Sequence, residues 1–229
     1  MENIIKFSEK KMQKNRVSGN FLYYFKEKYH FTDRNSHSIF LNNKPNESGS
    51  SYENGDLFLN LEAHFLNYLK ACSLSANTPA ILTVNAYTKF EQLESALGQK
   101  YSFADSTEDF IKNQTNACFK NVLSPEFEPL ITPILKERTD VFPVPNELLV
   151  FIFNAEDEKI EHLTEIITIA RSRNVYITLE IQNIEKFVEI YGKETFDIIL
   201  QNCRIIFGCN NNEIIDITLN HEKTIKFKK

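Results

Sequence analysis

The chain reads as an α/β protein with a mostly parallel sheet, crossover helices and an added all-helical subdomain. Three observations predict this. Residues 148–153 (LLVFIF) form a continuous apolar run bounded by polar residues, which suits a strand covered on both faces. Ile160, Leu163, Ile166, Ile167 and Ala170 then recur at helical spacing. Residues 175–181 (VYITLEI) are rich in β-branched and aromatic side chains and read as the next strand. A second helical pattern covers Ile184, Phe187, Val188 and Tyr191 and resumes over 196–200, before a third strand at 205–207. Strand, helix, strand, helix, strand is the order of a parallel sheet with crossovers, and the expectation is that these three strands lie side by side.

From the amino end, residues 1–55 are the least readable. The stretch 21–31 (FLYYFKEKYHF) is aromatic and reads as core packing, since Lys26 and Lys28 are offset by Glu27 and no basic face accompanies the rings. Residues 38–41 resemble a short strand. Residues 42–55 (NNKPNESGSSYENG) are a loop by composition and the best domain boundary. Asp56 can cap a helix bearing Leu57, Leu61, Phe65, Leu66 and Leu69, with His64 beside that stripe. Thr78-Pro79 looks like a cap and first-turn proline, followed by a helical pattern through Leu82, Tyr87, Phe90, Leu93 and Leu97. Ser106 with Asp109 is box-like before Phe110, Ile111, Ala117 and Val122. Ser124-Pro125 opens a further helix through Phe127, Leu130, Ile134 and Leu135, with a kink expected at Pro133. The predicted organisation is therefore 1–55, a helical subdomain over 56–140, and an α/β unit over 141–229.

Composition narrows the function. Hydrophobic residues at 42% and charged residues at 25% are ordinary for a soluble globular protein. A net charge of -5 argues against a broad nucleic-acid-binding face. The four cysteines show no CxxC and no neighbouring histidine, so they read as reduced thiols and imply no metal. Cys203 has no identifiable Cys–His arrangement. The start, MENIIKFSEKK, lacks a signal-peptide core, and no window reaches the ~18 to 20 apolar residues of a membrane span. These features predict a cytoplasmic protein that reaches a membrane only through a partner.

The spelling of the carboxyl-terminal third is more specific than its periodicity. Ala170, Arg171, Ser172 and Arg173 end a helix; Ile181, Gln182 and Asn183 close a strand. Tyr191-Gly192, Asn202-Cys203 and then Gly208, Cys209, Asn210 and Asn211 follow in order. This stretch resembles the second half of the motor domain of type IV coupling proteins, the TraG/TraD family of conjugative DNA transfer. The likeness continues more weakly upstream, in GDLFLNLEAHFLNYL and in Phe142-Pro143-Val144-Pro145. It implies part of a RecA-like sheet. The family's ATPase function, membrane anchor and ring assembly would come with a complete copy.

The nucleotide machinery departs from that pattern. A phosphate loop needs G-x-x-x-x-G-K-[ST], yet among six glycines the only Gly-Lys pair is Gly192-Lys193, followed by Glu194 and lacking the earlier glycine. Where the family's strand ends in Asp-Glu, to hold magnesium and polarise water, this strand ends in Asn154-Ala155. Glu156 and Asp157 follow and read as a solvated turn. Gln182, a γ-phosphate sensor in working motors, reads as a structural hydrogen-bonding group. The expectation is a non-enzymatic module without ATP or magnesium, an accessory or adaptor protein for a conjugative or type IV secretion system. Its partners would be an intact coupling ATPase, a secretion-channel component or another copy of itself, with no direct nucleic-acid binding. The alternatives are an NTPase completed by a second polypeptide, an inactive remnant of a mobile element, and an unrelated α/β binding protein. Arg171 and Arg173 read as helix-dipole charges, with a subunit-contact role as the competing reading. Phe187, Tyr191 and Phe207 supply candidate aromatic anchors for a subunit contact, if exposed together.

Overall fold

A computed structural model of the chain describes residues 37–42, 79–86, 101–139, 146–211, 214–219 and 223–228. In chain order these form β1 (His37–Asn42), β2 (Ala80–Val84), β3 (Ser102–Phe103), α1 (Thr107–Asn113), β4 (Cys118–Val122), α2 (Ser124–Glu137) and β5 (Leu148–Ile152). Next come α3 (Leu163–Ala170), a 3-10 turn (Arg171–Arg173), β6 (Val175–Ile181), α4 (Ile184–Tyr191), α5 (Lys193–Asn202), β7 (Cys203–Asn211), β8 (Ile214–Leu219) and β9 (Lys223–Lys228). All nine strands join one sheet in the order β3-β4-β2-β5-β6-β1-β7-β8-β9. Pairing is parallel from β3 through β7, and β8 and β9 add an antiparallel edge. The α/β class and the mostly parallel sheet are as the sequence predicts.

Burial explains the central strands. Every residue of β2 and of β5 is buried, as a parallel strand covered on both faces requires. The described helices touch in series: α1 on α2, α2 on α3, α3 on α5 and α5 on α4. Phe127, Leu130, Ile131 and Ile134 of α2 and Ile166, Ile167 and Ala170 of α3 enter the same core as Val150 and Ile177. Among the described residues no helix is long and apolar enough to cross a membrane.

Two expectations are corrected. First, the helical subdomain over 56–140 does not hold as an all-helical unit, because β2, β3 and β4 arise within it and join the sheet. Residues 80–84 are one apolar run, not a stripe, and include the β-branched Ile81, Thr83 and Val84, which favour a strand despite the cap-like Thr78-Pro79. The Ser106 cap is real, with Ser106 Oγ accepting from Asp109 N at 3.0 Å, but its helix ends at Asn113 and Cys118–Val122 is a strand. The helix expected over 57–69 and the pattern over 87–97 lie outside the described residues. Second, β5, β6 and β7 are parallel but not all neighbours: β1 inserts between β6 and β7, pairing Ile39 with Leu179 on one side and with Ile206 on the other. The segment before residue 56 thus supplies an interior strand, so the sheet runs through all three predicted segments. The helix opened by Ser124-Pro125 is α2, which contains both Pro129 and Pro133 and runs to Glu137.

β1 is anchored by a histidine that sequence reading passed over. His37 is buried; its Nδ1 accepts from Ile177 N at 2.9 Å and its Nε2 donates to Ile167 O at 2.9 Å. The ring thereby ties β6 to a carbonyl near the end of α3, one of the orphan acceptors of a helix terminus. Both bonds together require the neutral ring, since a proton on Nδ1 would meet the Ile177 N–H. Burial, with Arg171 nearby, lowers its pKa from 6.5 to about 4 despite the Ile167 bond. The unfolded chain therefore binds a proton between pH 6.5 and 4 that the folded chain does not, and stability falls as pH drops through that window. The loss is on the order of 3 kcal/mol at the acid end. Urea melts across this range test it, with H37Q as control: the variant's profile is expected to be the flatter of the two.

Candidate functional site

The carboxyl ends of parallel strands are where open α/β sheets place ligands. Here β2, β4, β5 and β6 end close together. After β5, Phe153 is buried and Asn154 turns into the left-handed region with φ 46°. Asparagine is among the few residues that adopt this readily. Its Oδ1 accepts from Gln182 Nε2 at 2.7 Å, joining the two strand ends. Ala155 is fully buried and its N–H donates to Glu180 O at 2.9 Å. Asp157 N closes the turn on Asn154 O at 2.9 Å.

Glu156 departs from the solvated-turn reading. It is buried, and its Oε1 accepts from both Gln182 N and Asn183 N at 2.9 Å. Asn183 caps α4, its Oδ1 accepting from Lys186 N at 2.9 Å, so the carboxyl group sits against the start of that helix. Burial raises the Glu156 pKa, while hydrogen bonds from its own backbone and from Asn183 and Gln182 pull the other way. Oε2 is buried with no hydrogen-bond partner among the described residues. Asp157 does face solvent, and pairs with Lys186 at 2.9 Å, a half-exposed contact worth little. Tyr191 completes the brace: its hydroxyl accepts from Ile160 N at 2.8 Å and lies 3.1 Å from Ala155 O. Burial pushes this phenol up to about 12.

A second polar cluster on this edge escaped the sequence reading. Asn85, φ 57°, is buried; its Nδ2 donates to Ser124 Oγ at 2.8 Å and its Oδ1 accepts from Ser124 N at 3.1 Å. Thr83 Oγ1 donates to Asn121 Oδ1 at 2.9 Å. The Thr-x-Asn ending of a buried strand, followed by the Ser-Pro of a helix start, was the available signal. These groups satisfy one another and tie the ends of β2 and β4 to the start of α2.

The proposed contact residues fall in two places. Phe187 is fully buried, stacked on Tyr191 with ring centroids 4.3 Å apart and 5.9 Å from Phe196. It is core, because α4 turns its apolar stripe inward, and it cannot serve as an exposed anchor. Tyr191 is mostly enclosed and its hydroxyl is engaged. Phe207 pairs with Phe40 and Ile217 in the sheet, and its side chain lies outside the described residues. Arg171 and Arg173 lie just before β6, at the amino edge, about a seven-residue strand or roughly 20 Å from Gln182. Cys203 is completely buried, and burial raises its thiol far above the reactive range. Among the described residues no His, Cys, Asp and Glu group could hold a metal ion.

With Glu156 tying β6 to α4, removing its carboxyl group takes the acceptor from two part-buried backbone N–H donors. Glu156→Ala is expected to cost about 2–3 kcal/mol, and Glu156→Gln, which keeps an acceptor, less than half of that. Paired urea melts decide it; equal, negligible losses would mean that the carboxyl group is not a brace.

Residues 155–217, which begin at this turn, match the family model described as the TraM recognition site of TraD and TraG. A search of curated proteins finds no match. Among solved structures, one described as an ATPase superposes with a TM-score of 0.52 at 7% identity, over 85% of this chain and 79% of that one. The genome packaging NTPase B204 of Sulfolobus turreted icosahedral virus 2, solved with ATP-gammaS, gives 0.50 at 12% identity, over 86% and 98%. At such identities the two show the fold alone. Fold and edge together define an α/β protein with a mostly parallel sheet whose fold these two structures share. Within that class its carboxyl-terminal part is TraG/TraD-like, the resemblance to type IV coupling proteins being carried by residues 155–217.

Proposed function

We propose that this chain is a coupling-protein-like module that binds a protein partner and does not hydrolyse nucleotide. The observation that carries this reading is the chemistry of the turn after β5. Asn154 has a neutral side chain bonded to Gln182, Ala155 offers no base, and the next carboxyl group, Glu156, holds two backbone N–H groups. Gln182 is likewise engaged in the brace. A hydrolase needs at this edge a metal-holding carboxylate and a base free to polarise water. The groups here are committed to structure. What the matched segment retains is then recognition: the family description names TraM, so a TraM-type protein or another coupling-apparatus component is the partner class. The module acts in the cytoplasm as an accessory or adaptor and meets the membrane through that partner.

A second reading, an NTPase completed by another polypeptide, draws on one observation, the unpartnered buried Oε2 of Glu156. It would make Glu156 the base. Against it, the carboxyl group is turned into the β6–α4 junction. Sedimentation velocity of the whole chain with a purified TraM-type protein tests the leading reading. Co-sedimentation at micromolar concentration, with no phosphate release from ATP in the mixture, is expected. Separate boundaries would remove the partner, and partner-dependent phosphate release abolished by Glu156→Gln would establish the second reading.

A further inference from the structure

At the amino edge of the sheet, opposite the β5 turn, the Arg171–Arg173 turn is held from several sides. Arg138, which ends α2, is a buried guanidinium. Its Nε and Nη2 donate to Gln114 Oε1 at 2.7 and 2.5 Å, and Nη2 also to Gln114 O at 3.2 Å. Its Nη1 reaches the carbonyls of Arg173 and Asn174 at 3.2 and 3.3 Å. Asn174 is left-handed, φ 58°; its N–H closes on Arg171 O at 3.2 Å and its Oδ1 accepts from Tyr176 Oη at 2.7 Å. Ser172 Oγ donates to Ile169 O at 2.7 Å. The backbone of this turn is fixed by its neighbours.

The side chains it presents are not. Arg171 is exposed and Arg173 half-buried, and neither guanidinium has an ion pair or hydrogen bond among the described residues. Arg173 Nε is shielded from solvent and still donates to nothing there. Glu147 and Arg171 both act electrostatically on Tyr176, in opposite directions. Arg138 beneath adds a third positive charge held only by neutral acceptors. Beside the turn, Ile169 is 44% exposed, one of two large apolar side chains that stand out among the described residues. Two free arginines on a fixed turn next to an exposed isoleucine, in a chain of net charge -5, are an arrangement that internal packing does not explain.

We infer that the Arg171–Arg173 turn, with Ile169, is a docking surface for an acidic segment of a protein partner, its carboxylates taken by the two guanidinia and a flanking apolar side chain by Ile169. The inference rests on the partner-binding reading above and names the chemistry of that partner. Arginine suits the task because its planar fork meets a carboxylate bidentately, and because the prearranged turn leaves little backbone ordering to be done on binding. Nucleic acid fits less well: two arginines on one short turn are not the extended basic track that a phosphate backbone follows.

The test uses the whole chain and fluorescence anisotropy with three labelled probes: a peptide of Glu and Leu, the matching peptide of Lys and Leu, and oligothymidylate. Binding of the Glu–Leu peptide alone is expected, weakening as salt is raised. The R171A/R173A double variant is expected to bind it at least about tenfold more weakly, a difference of about 1.4 kcal/mol. The R171K/R173K variant should recover only part of that loss. Melting temperatures of both variants should match the parent, since neither side chain is bonded internally. Absence of Glu–Leu binding, equal binding by R171A/R173A, or tighter binding of oligothymidylate would overturn the inference. Sedimentation with a TraM-type protein separates the two levels. Capture that R171A/R173A leaves intact counts against the arginine turn alone, whereas no capture by the parent counts against the partner reading.

Discussion

Phe187→Asp is expected to unfold the chain. The Phe187 ring is fully buried between Tyr191 and Phe196 and belongs to the core shared by α3, α5 and the sheet. Truncating a buried phenylalanine costs about 3–5 kcal/mol through lost transfer and the cavity left behind. Placing a carboxylate in that cavity adds several kcal/mol more unless the group is neutralised. The sum approaches the ~5–15 kcal/mol that stabilises an ordinary domain. Far-UV circular dichroism should show loss of the cooperative melt, with Phe187→Leu retaining it at lower temperature. A folded, normally melting Phe187→Asp would place the ring on the surface and restore it as an interface anchor.

Arg138→Ala carries the second large effect. Burial lowers this guanidinium to about 10, with little relief from Tyr176, so it remains protonated at neutral pH. Its donors fill the Gln114 side chain and carbonyl together with the carbonyls of Arg173 and Asn174, tying α1's end, α2's end and the start of β6. Alanine would remove these donors, although Asn174 O keeps Leu148 N at 3.1 Å, and would open a cavity, at about 3–5 kcal/mol. Lysine has the charge but not the fork and should recover less than half of the loss. Urea melts of the three proteins test the ordering. The same substitution should loosen the Arg171–Arg173 turn, so acidic-peptide binding should fall under conditions where the variant is still folded.

What sequence could say about this fold follows from where the determining contacts lie. Leu148–Ile152 and Val175–Ile181 were legible because a doubly covered strand carries its own signature of continuous or β-branched apolar residues. Ala80–Val84 carries the same signature, but Thr78-Pro79 ahead of it imitates a helix start, and that local cue outweighed the run. The insertion of β1 between β6 and β7 has no local signal, since it rests on pairings across more than a hundred residues and on His37 bridging Ile177 and Ile167. The β8–β9 hairpin was readable in principle: KTIKFK alternates, and its lysines suit an edge strand.

The candidate site divides the same way. That Asn154-Ala155 carries no carboxylate is visible in the letters and needs no geometry. The role of Glu156 is invisible there. Whether an acidic residue after a strand faces water or turns under the next helix depends on Gln182 and Asn183, 26 and 27 residues away. The aromatic anchors failed for the converse reason: Phe187 looks alike in sequence whether its helix faces a core or a partner. Arg171 and Arg173 are visible in the sequence, but that they stand on a turn fixed by Arg138 is a tertiary fact.

We propose that the carboxyl edge serves structure and not nucleotide chemistry. Calorimetric titration of the whole chain with ATP and magnesium at high protein concentration tests it most directly. The account predicts no heat of binding beyond dilution, a dissociation constant no tighter than about millimolar, where binding free energy is only ~4 kcal/mol. A low-micromolar constant that is weakened by Glu156→Ala or Asp157→Ala would contradict it, and would return those two carboxylates to catalysis.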